Sequence, residues 1–540
     1  MQYGFVIDNR KCIGCHACTV ACKSEHDVPV GVNRTWVKQT EKGEFPNTRR
    51  VFSVLRCNHC EDAPCVDICP TEALFIREDG IVDFDNRRCI GCKSCMQACP
   101  YDALYIDPET KTAAKCNYCA HRVDIGLEPA CVNVCPEHAI ISGDLDNPNT
   151  EIAQLVAREQ VTVRKAEKGT KPNVFYIDGD EASLNPSSTE PSKQYIWSSQ
   201  SAGVGHFSKF AEQLSAGKDL LELAREQQQT KNGTPGGLAQ DDPRQQKLGQ
   251  RASHTKRVYD TPDKGVLWGW EVAGYVWTKA IAAGITIVAS IAALWMGTGM
   301  VGMMPIAITL TAMFFLVATT VLLVMDLDQP KRFLYVLLRP QWGSWLVRGG
   351  YALSIFGGIL TLVIVAYSLE WKSVAIAALY ASAAVGLVVA IYTAFLFAQA
   401  KGRDFWQSPA LALHMLVHSV MAGAGALAIL AYFFTENGLW ASRMGLILII
   451  ACGINLLVML VELGMPHSTK DIKRTVHMIV SGRYKLPFWL GVVALGNLIP
   501  ILLCLFGSWQ VVPIASVLVL FGIYITETIW VEAPQRVPLT

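Results

Sequence analysis

Sixteen of the chain's eighteen cysteines fall between Cys12 and Cys135, in four groups of four. Cys12, Cys15, Cys18 and Cys22 are spaced C-x2-C-x2-C-x3-C, and Cys89, Cys92, Cys95 and Cys99 repeat that spacing. Cys57, Cys60, Cys65 and Cys69 give C-x2-C-x4-C-x3-C; Cys116, Cys119, Cys131 and Cys135 give C-x2-C-x11-C-x3-C. Disulfide frameworks belong to short secreted chains, so this pattern on a 540-residue chain reads as metal binding. A cubane cluster needs four converging thiolates. A turn of C-x2-C-x2-C supplies three, and the fourth cysteine reaches a different cluster, as in two-cluster ferredoxins whose run ends in C-P. Pro70, Pro100 and Pro136 follow the last cysteine of three groups, while Lys23 follows Cys22. Structural zinc also uses C-x2-C pairs, but four-cysteine groups with C-P endings fit [4Fe–4S] clusters better.

The same rule pairs the groups. An inner module sets Cys57, Cys60 and Cys65 with Cys99, and Cys69 with Cys89, Cys92 and Cys95. An outer module sets Cys12, Cys15 and Cys18 with Cys135, and Cys22 with Cys116, Cys119 and Cys131. Short alternating segments at 73–76, 81–84 and 103–106 are expected to form the small strands that flank such clusters. This block resembles the four-cluster electron-transfer subunit of the molybdopterin oxidoreductases, such as dimethyl sulfoxide reductase, polysulfide reductase and formate dehydrogenase. The resemblance covers about the first third of the chain, with a weaker likeness at Lys171-Pro172-Asn173-Val174-Phe175-Tyr176. It implies four [4Fe–4S] clusters and a catalytic molybdopterin subunit, carrying molybdenum or tungsten, as partner.

The elements that must hold this wire follow from composition. Hydrophobic residues make up 51% of the chain and the net charge is +1, which points to a membrane and away from nucleic acid. The apolar runs are confined to the second half. The expected organisation is therefore a ferredoxin-like α+β double module at 1–180, an extended linker at 181–265 with a possible short helix at 207–228, and an all-α membrane domain at 266–540. Stretches such as Asn185–Pro191 and Lys231–Gly237 read as linker. Eight apolar runs reach bilayer-spanning length, near 272–296, 303–325, 349–369, 373–398, 411–434, 441–463, 487–507 and 511–530. Eight spans put both ends on one side with the cysteine block. Loops on that side carry Lys331, Arg332, Arg339, Arg348, Lys401, Arg403, Lys470, Lys473, Arg474, Arg483 and Lys485, against Lys372 and Arg443 on the other. The positive-inside bias places the clusters in the cytoplasm, with the periplasm as the alternative. The first residues, Met1 to Phe5, show no charged n-region, apolar h-region or twin arginine, so no export signal is expected there.

The apolar half resembles the polysulfide-reductase (NrfD-type) membrane subunit, a quinone-reactive anchor of two four-helix bundles in a bacterial or archaeal cytoplasmic membrane. Trp270 through Trp277, and Asp326-Leu327-Asp328-Gln329-Pro330-Lys331-Arg332, carry the resemblance. The whole then reads as a fusion of two subunits that are usually separate.

Ionisable residues inside a membrane are costly and mark function. Glu271, Tyr275 and Lys279 share a helix face at i, i+4, i+8. Asp326 ends the second span and Tyr392 lies late in the fourth; by alternation all five fall on the cluster side. Menaquinone or ubiquinone, as an exchangeable substrate, is expected between spans one to four, with Asp326, Lys279, Tyr275 and Tyr392 as contacts or proton donors and Glu271 nearby. The bland alternative for Lys279 is an ion pair with Asp326. His414, His418, Glu462 and Glu527 lie on the same side. The two histidines lack mid-span histidine partners, so polar packing or a proton path is expected rather than haem. No nucleotide loop or catalytic metal motif is present. The chain reads as wiring and anchor, the alternatives being a module of a hydrogenase or cytochrome-linked complex, or a redox-driven ion translocator.

Overall fold

The computed structural model describes residues 1–43, 46–189, 255–296, 304–434, 438–465 and 469–540. Strand β1 (Tyr3–Asp8) carries Phe5, Val6 and Ile7, all fully buried, as a central strand flanked on both faces must. It pairs antiparallel with β8 (Ile140–Asp144) and parallel with β10 (Val174–Ile177), whose other edge takes β9 (Val161–Thr162). A second sheet joins β2 (Thr35–Lys42) to β3 (Arg49–Arg56). Of two short hairpins, β4 (Leu74–Ile76) with β5 (Val82–Phe84) and β6 (Leu104–Ile106) with β7 (Ala113–Lys115), the strands β4, β5 and β6 occupy the three segments expected as small strands, while β7 falls outside them.

The span 181–265, expected as linker, is described only at its ends, and both ends are folded. Asp180 caps a short helix at Glu181–Leu184. Thr255–Tyr259 is β11, which pairs with the free edge of β2. The reason is electrostatic as well as geometric: Lys38 on β2 is buried and needs an anion. Asp260, just past β11, supplies it at 3.9 Å while also pairing with Arg257 at 3.3 Å and accepting from Trp36 Nε1 at 2.9 Å. The expected helix at 207–228 and the segment 231–237 lie outside the described residues.

Among the described residues, eight helices are long and apolar enough to cross a membrane: α1 (Trp270–Met296), α2 (Met304–Met325), α3 (Trp345–Ser368), α4 (Lys372–Gln399), α5 (Leu411–Phe434), α6 (Leu439–Gly464), α7 (Pro487–Phe506) and α8 (Val512–Gln535). Their bounds lie within a few residues of the expected spans, and α7 is wound as a π-helix from Pro487 to Leu498. Helices α1–α4 and α5–α8 form two groups, and α1, most of whose residues are buried, lies at the junction between them. There α1 and α5 touch backbone to backbone: a Cβ on Gly284 would lie 1.8 Å from the Ser419 carbonyl oxygen, and one on Gly423 2.1 Å from the Gly284 carbonyl. Helices in lipid associate through such small residues. Gly284→Ala is expected to lower stability by about 1–3 kcal/mol through overpacking, read as a lower melting temperature of the detergent-solubilised protein.

The cysteine-bearing domain sits on the helix ends through its inner module. Ser344 Oγ donates to Ile68 O at 2.8 Å and the Gln341 amide to Pro70 O at 3.2 Å. Gln97 bridges two elements, donating to Gln535 Oε1 at 2.6 Å and accepting from Arg403 Nε at 2.9 Å.

Candidate functional site

The repeated cysteine turns have one backbone. In Cys12-Ile13-Gly14-Cys15-His16-Ala17-Cys18 and Cys89-Ile90-Gly91-Cys92-Lys93-Ser94-Cys95 the glycines are left-handed (φ 70 and 72), and so are His16 and Lys93 (φ 61 and 59). These reversals turn the three thiols inward before a short helix leads the fourth cysteine away. At Gly91 a side chain is excluded twice over, because a Cβ would also lie 2.7 Å from Asp328 Cβ of the membrane half. The structure brings together the quartets that the spacing pairs. Cys12, Cys15, Cys18 and Cys135 line one small cavity, Cys57, Cys60, Cys65 and Cys99 a second, and Cys69, Cys89, Cys92 and Cys95 a third. Cys22 lies among Cys116, Cys131 and Cys119.

The donor sets fit iron–sulfur clusters. Burial and neighbouring thiols push Cys119 up to about 12, so such quartets become thiolates only with a cation at their centre. Backbone amides already point at the sulfurs: those of Gly91 and Ala113 at Cys89 Sγ, both 3.4 Å, and that of Ala139 at Cys135 Sγ, 3.2 Å. Hydrogen bonds of this kind tune cluster potentials.

Between the Cys69–Cys95 quartet and the helices lies a cavity of about 400 Å³. Ile90 and Cys92 form part of its wall, with Trp268, Val272 and Tyr275 from α1 and its approach, Asp326 past the end of α2, Ser354 on α3 and Tyr392 on α4. It has the size and the mostly apolar lining, with few polar groups, of a small-molecule site. Trp268 Nε1 donates to Cys92 O at 3.1 Å, and its ring stacks on Trp406, which stacks on Phe397, fixing the cavity's roof. Lys93 Nζ donates to the Asp326 carbonyl oxygen at 3.0 Å and pairs with the Asp328 carboxylate at 3.3 Å and that of Asp326 at 3.8 Å. Burial pushes the Asp326 carboxyl up to about 7 against the pull of Lys93, with Glu271 and Asp328 adding to the rise. It is therefore poised to give or take a proton near neutrality.

Three of the five expected residues, Asp326, Tyr275 and Tyr392, reach the cavity wall. Lys279 stands behind Tyr392, its Nζ 4.8 Å from that ring's centroid, and donates to Thr393 Oγ1 at 2.6 Å and Ala390 O at 3.1 Å. The alternative ion pair between Lys279 and Asp326 does not form. Lys279 lies about two turns deeper along α1 than Glu271, the residue whose charge Asp326 feels. Glu271 is half-buried and is not part of the cavity wall.

Residues 261–537 match the family model described as polysulphide reductase, NrfD. This chain is a member of the NrfD family. Two models described as 4Fe-4S dicluster domains match residues 11–74 and 49–145 ahead of the NrfD domain. One subunit of the tetrathionate reductase of Salmonella typhimurium is 47% identical over 190 residues, covering 34% of this chain and 76% of that protein. One component of the polysulfide reductase of Wolinella succinogenes is 42% identical over 181 residues, 33% of this chain and 94% of that protein. The arsenate respiratory reductase iron–sulfur subunit ArrB of a Shewanella species is 35% identical over 225 residues, 33% and 96%. The protein is an iron–sulfur electron-transfer domain fused to an NrfD membrane anchor.

Inside the NrfD domain the second group of helices holds a buried polar network. His414 Nδ1 lies 3.0 Å from Glu462 Oε2, which also accepts from Trp530 Nε1 at 3.2 Å. His418 Nδ1 lies 2.6 Å from Glu527 Oε1, and the two imidazole centroids are 4.2 Å apart. The charge of Glu527 in turn reaches Lys279. Each histidine thus meets a carboxylate from another helix through Nδ1, as ionisable groups in lipid require, while both Nε2 atoms and Glu462 Oε1 are buried without a hydrogen-bond partner among the described residues. Sequence spacing placed these four residues on one side but could not pair them, because the pairs join α5 to α6 and α5 to α8, and spacing does not fix which faces of two helices meet. Lys93 and Trp268 were missed altogether: their significance exists only once the two halves dock.

Proposed function

We propose that this chain carries electrons between a catalytic partner subunit and a membrane quinone. The observation behind this reading is Cys92, in the quartet beside the membrane helices, forming the wall of a cavity that also holds Asp326, Tyr275 and Tyr392. The ligand sets are Cys12, Cys15, Cys18 and Cys135; Cys22, Cys116, Cys119 and Cys131; Cys57, Cys60, Cys65 and Cys99; and Cys69, Cys89, Cys92 and Cys95. Four [4Fe–4S] clusters held there supply one-electron steps, and the protein's own groups do the rest. Quinone reduction to quinol consumes two electrons and two protons, and oxidation returns them. Asp326 exchanges a proton with one quinone oxygen, while the Tyr275 and Tyr392 hydroxyls orient the ring. Trp268 and Ile90 cover the cavity on the iron–sulfur side and keep water from the reacting oxygens.

The far end of the wire is open: Cys15 is exposed and Ile13 is 56% exposed. The catalytic partner docks there, and the reductase subunits among the relatives support a molybdenum or tungsten molybdopterin enzyme as that partner. The clusters face the cytoplasm. Arg332 and Arg403 donate to the iron–sulfur domain, and Arg474 to Ser187 of the segment that follows it, so they belong on that side whatever the orientation, but the remaining loop cations keep the same bias. A reporter enzyme active only outside the cytoplasm, fused after Thr540, should be inactive.

Filling the cavity tests the quinone reading. Gly350 lines it from α3, so Gly350→Trp should abolish quinone-coupled turnover and leave electron transfer to a soluble dye intact. Equal loss of both would sink the assignment. Metal analysis of the purified complex should find molybdenum or tungsten; a nickel–iron partner would overturn the choice of enzyme.

A further inference from the structure

Each cysteine group is preceded by a basic residue: Lys11, Arg56, Arg88 and Lys115. Lys11 is exposed and Arg88 is half-buried beside Asp85. Arg56 and Lys115 differ, being the last residues of β3 and β7 and fully buried. Burying a cation costs several kcal/mol unless an anion lies close, yet neither pairs with an Asp or Glu among the described residues. Arg56 Nη1 donates to Cys131 Sγ at 3.0 Å and its guanidinium lies 4.4 Å from the Phe5 ring centroid, while Nε and Nη2 have no hydrogen-bond partner. The anions it can face are the thiolates of Cys131, Cys116 and Cys18. Lys115 Nζ donates to Cys116 O at 2.8 Å and to Val82 O, and its charge reaches Cys57 and Cys65.

The two cations therefore occupy successive gaps of the wire. Arg56 lies between the Cys12 and Cys22 quartets, and Lys115 between the Cys22 and Cys57 quartets. In the third gap, where Cys65 faces Cys95, no fully buried cation of this kind stands among the described residues; the half-buried Arg332 reaches the Cys69–Cys95 quartet only from its membrane side, donating to Cys89 O at 3.0 Å. The nearby lysines are already paired, Lys93 with Asp328 and Lys264 with Asp102. We propose that Arg56 and Lys115 are the counterions of the clusters and set the order of potentials along the wire, with the Cys22–Cys116–Cys119–Cys131 cluster, flanked by both, the easiest to reduce. One-electron reduction adds one negative charge, and a fixed cation in a low-dielectric interior stabilises the reduced form, raising its midpoint. His26 Nε2, 3.1 Å from Cys119 Sγ, adds a further polar contact to the same quartet.

This inference rests on the ligand sets proposed above. The test is a potentiometric titration of the purified complex followed by low-temperature EPR, with iron content measured in parallel. Arg56→Gln should move two of four midpoints negative and Lys115→Gln two, with one cluster common to both and the membrane-side cluster unmoved. Arg56→Lys should restore most of the shift. Midpoints that stay in place, or that all shift together, would overturn the proposal. Should the Gln variants fail to load iron, full loading of Arg56→Lys and Lys115→Arg supports it, and failure of those overturns it. A wild-type complex with fewer than four clusters would instead refute the ligand sets.

Discussion

Asp326→Asn is expected to slow quinone-coupled turnover by about 10²-fold, the lower end of what a positioned proton donor contributes, while dye-coupled electron transfer stays at the wild-type rate. Asparagine keeps the shape of the side chain and loses the exchangeable proton, so a fall in rate with unchanged quinone affinity separates proton transfer from packing. The pH dependence gives a second reading. The carboxyl is held up near 7 by burial, with Lys93 opposing and Glu271 and Asp328 reinforcing. The donating form is therefore present below about 7 and lost above it, so quinone reduction should decline as pH rises through that value. Quinol oxidation, which needs the carboxylate as acceptor, should rise over the same range. Both limbs should vanish in Asp326→Asn; their survival would move the proton exchange to another group.

The second large effect is expected at Glu527. Truncation to Ala leaves His418 and Lys279 facing a buried gap where a carboxylate was, in a region where His418 is 0% and Lys279 1% exposed. Breaking a buried pair by removing one partner costs about 3–5 kcal/mol, enough to unfold many membrane domains at growth temperature. Glu527→Gln, which can still accept from His418 Nδ1, should lose much less. Thermal unfolding of the detergent-solubilised protein checks both. If the Ala variant melts with the wild type, the network is not a structural clamp.

The residues that spelled out their own chemistry were those whose partners are set by local spacing. In three of the quartets three thiols arise within one or two turns, in the fourth Cys131 follows Cys119 after eleven residues, and in each the departing cysteine of another group completes the set, so the quartets follow from the spacing. The eight helices follow from the lengths of apolar runs. Asp326, Tyr275 and Tyr392 could be placed on the correct side by counting spans. Depth was harder. The sequence offers Lys279 as a quinone contact or, alternatively, as an ion partner of Asp326, because both are charged and on one side, yet α1 carries Lys279 past Tyr275 to Thr393, while Lys93 arrives from the other half of the chain to meet Asp326. Strand β11 was illegible for a related reason. Thr-Lys-Arg-Val-Tyr has no strong alternation, and its partner β2 lies over two hundred residues away.

That strand changes what the covalent join between the halves accomplishes. Both flanks of 190–254 return to the iron–sulfur domain: Thr189 is buried there, with Arg257 Nη2 at 3.5 Å from its hydroxyl, and β11 is stitched to β2. A break in the backbone between those flanks would leave β11 in its sheet and the docked faces together. Two polypeptides divided there and produced in the same cell should assemble into a working unit. The join then fixes stoichiometry, guaranteeing one electron wire for each anchor and raising the local concentration of one for the other during assembly, rather than holding the finished machine in one piece.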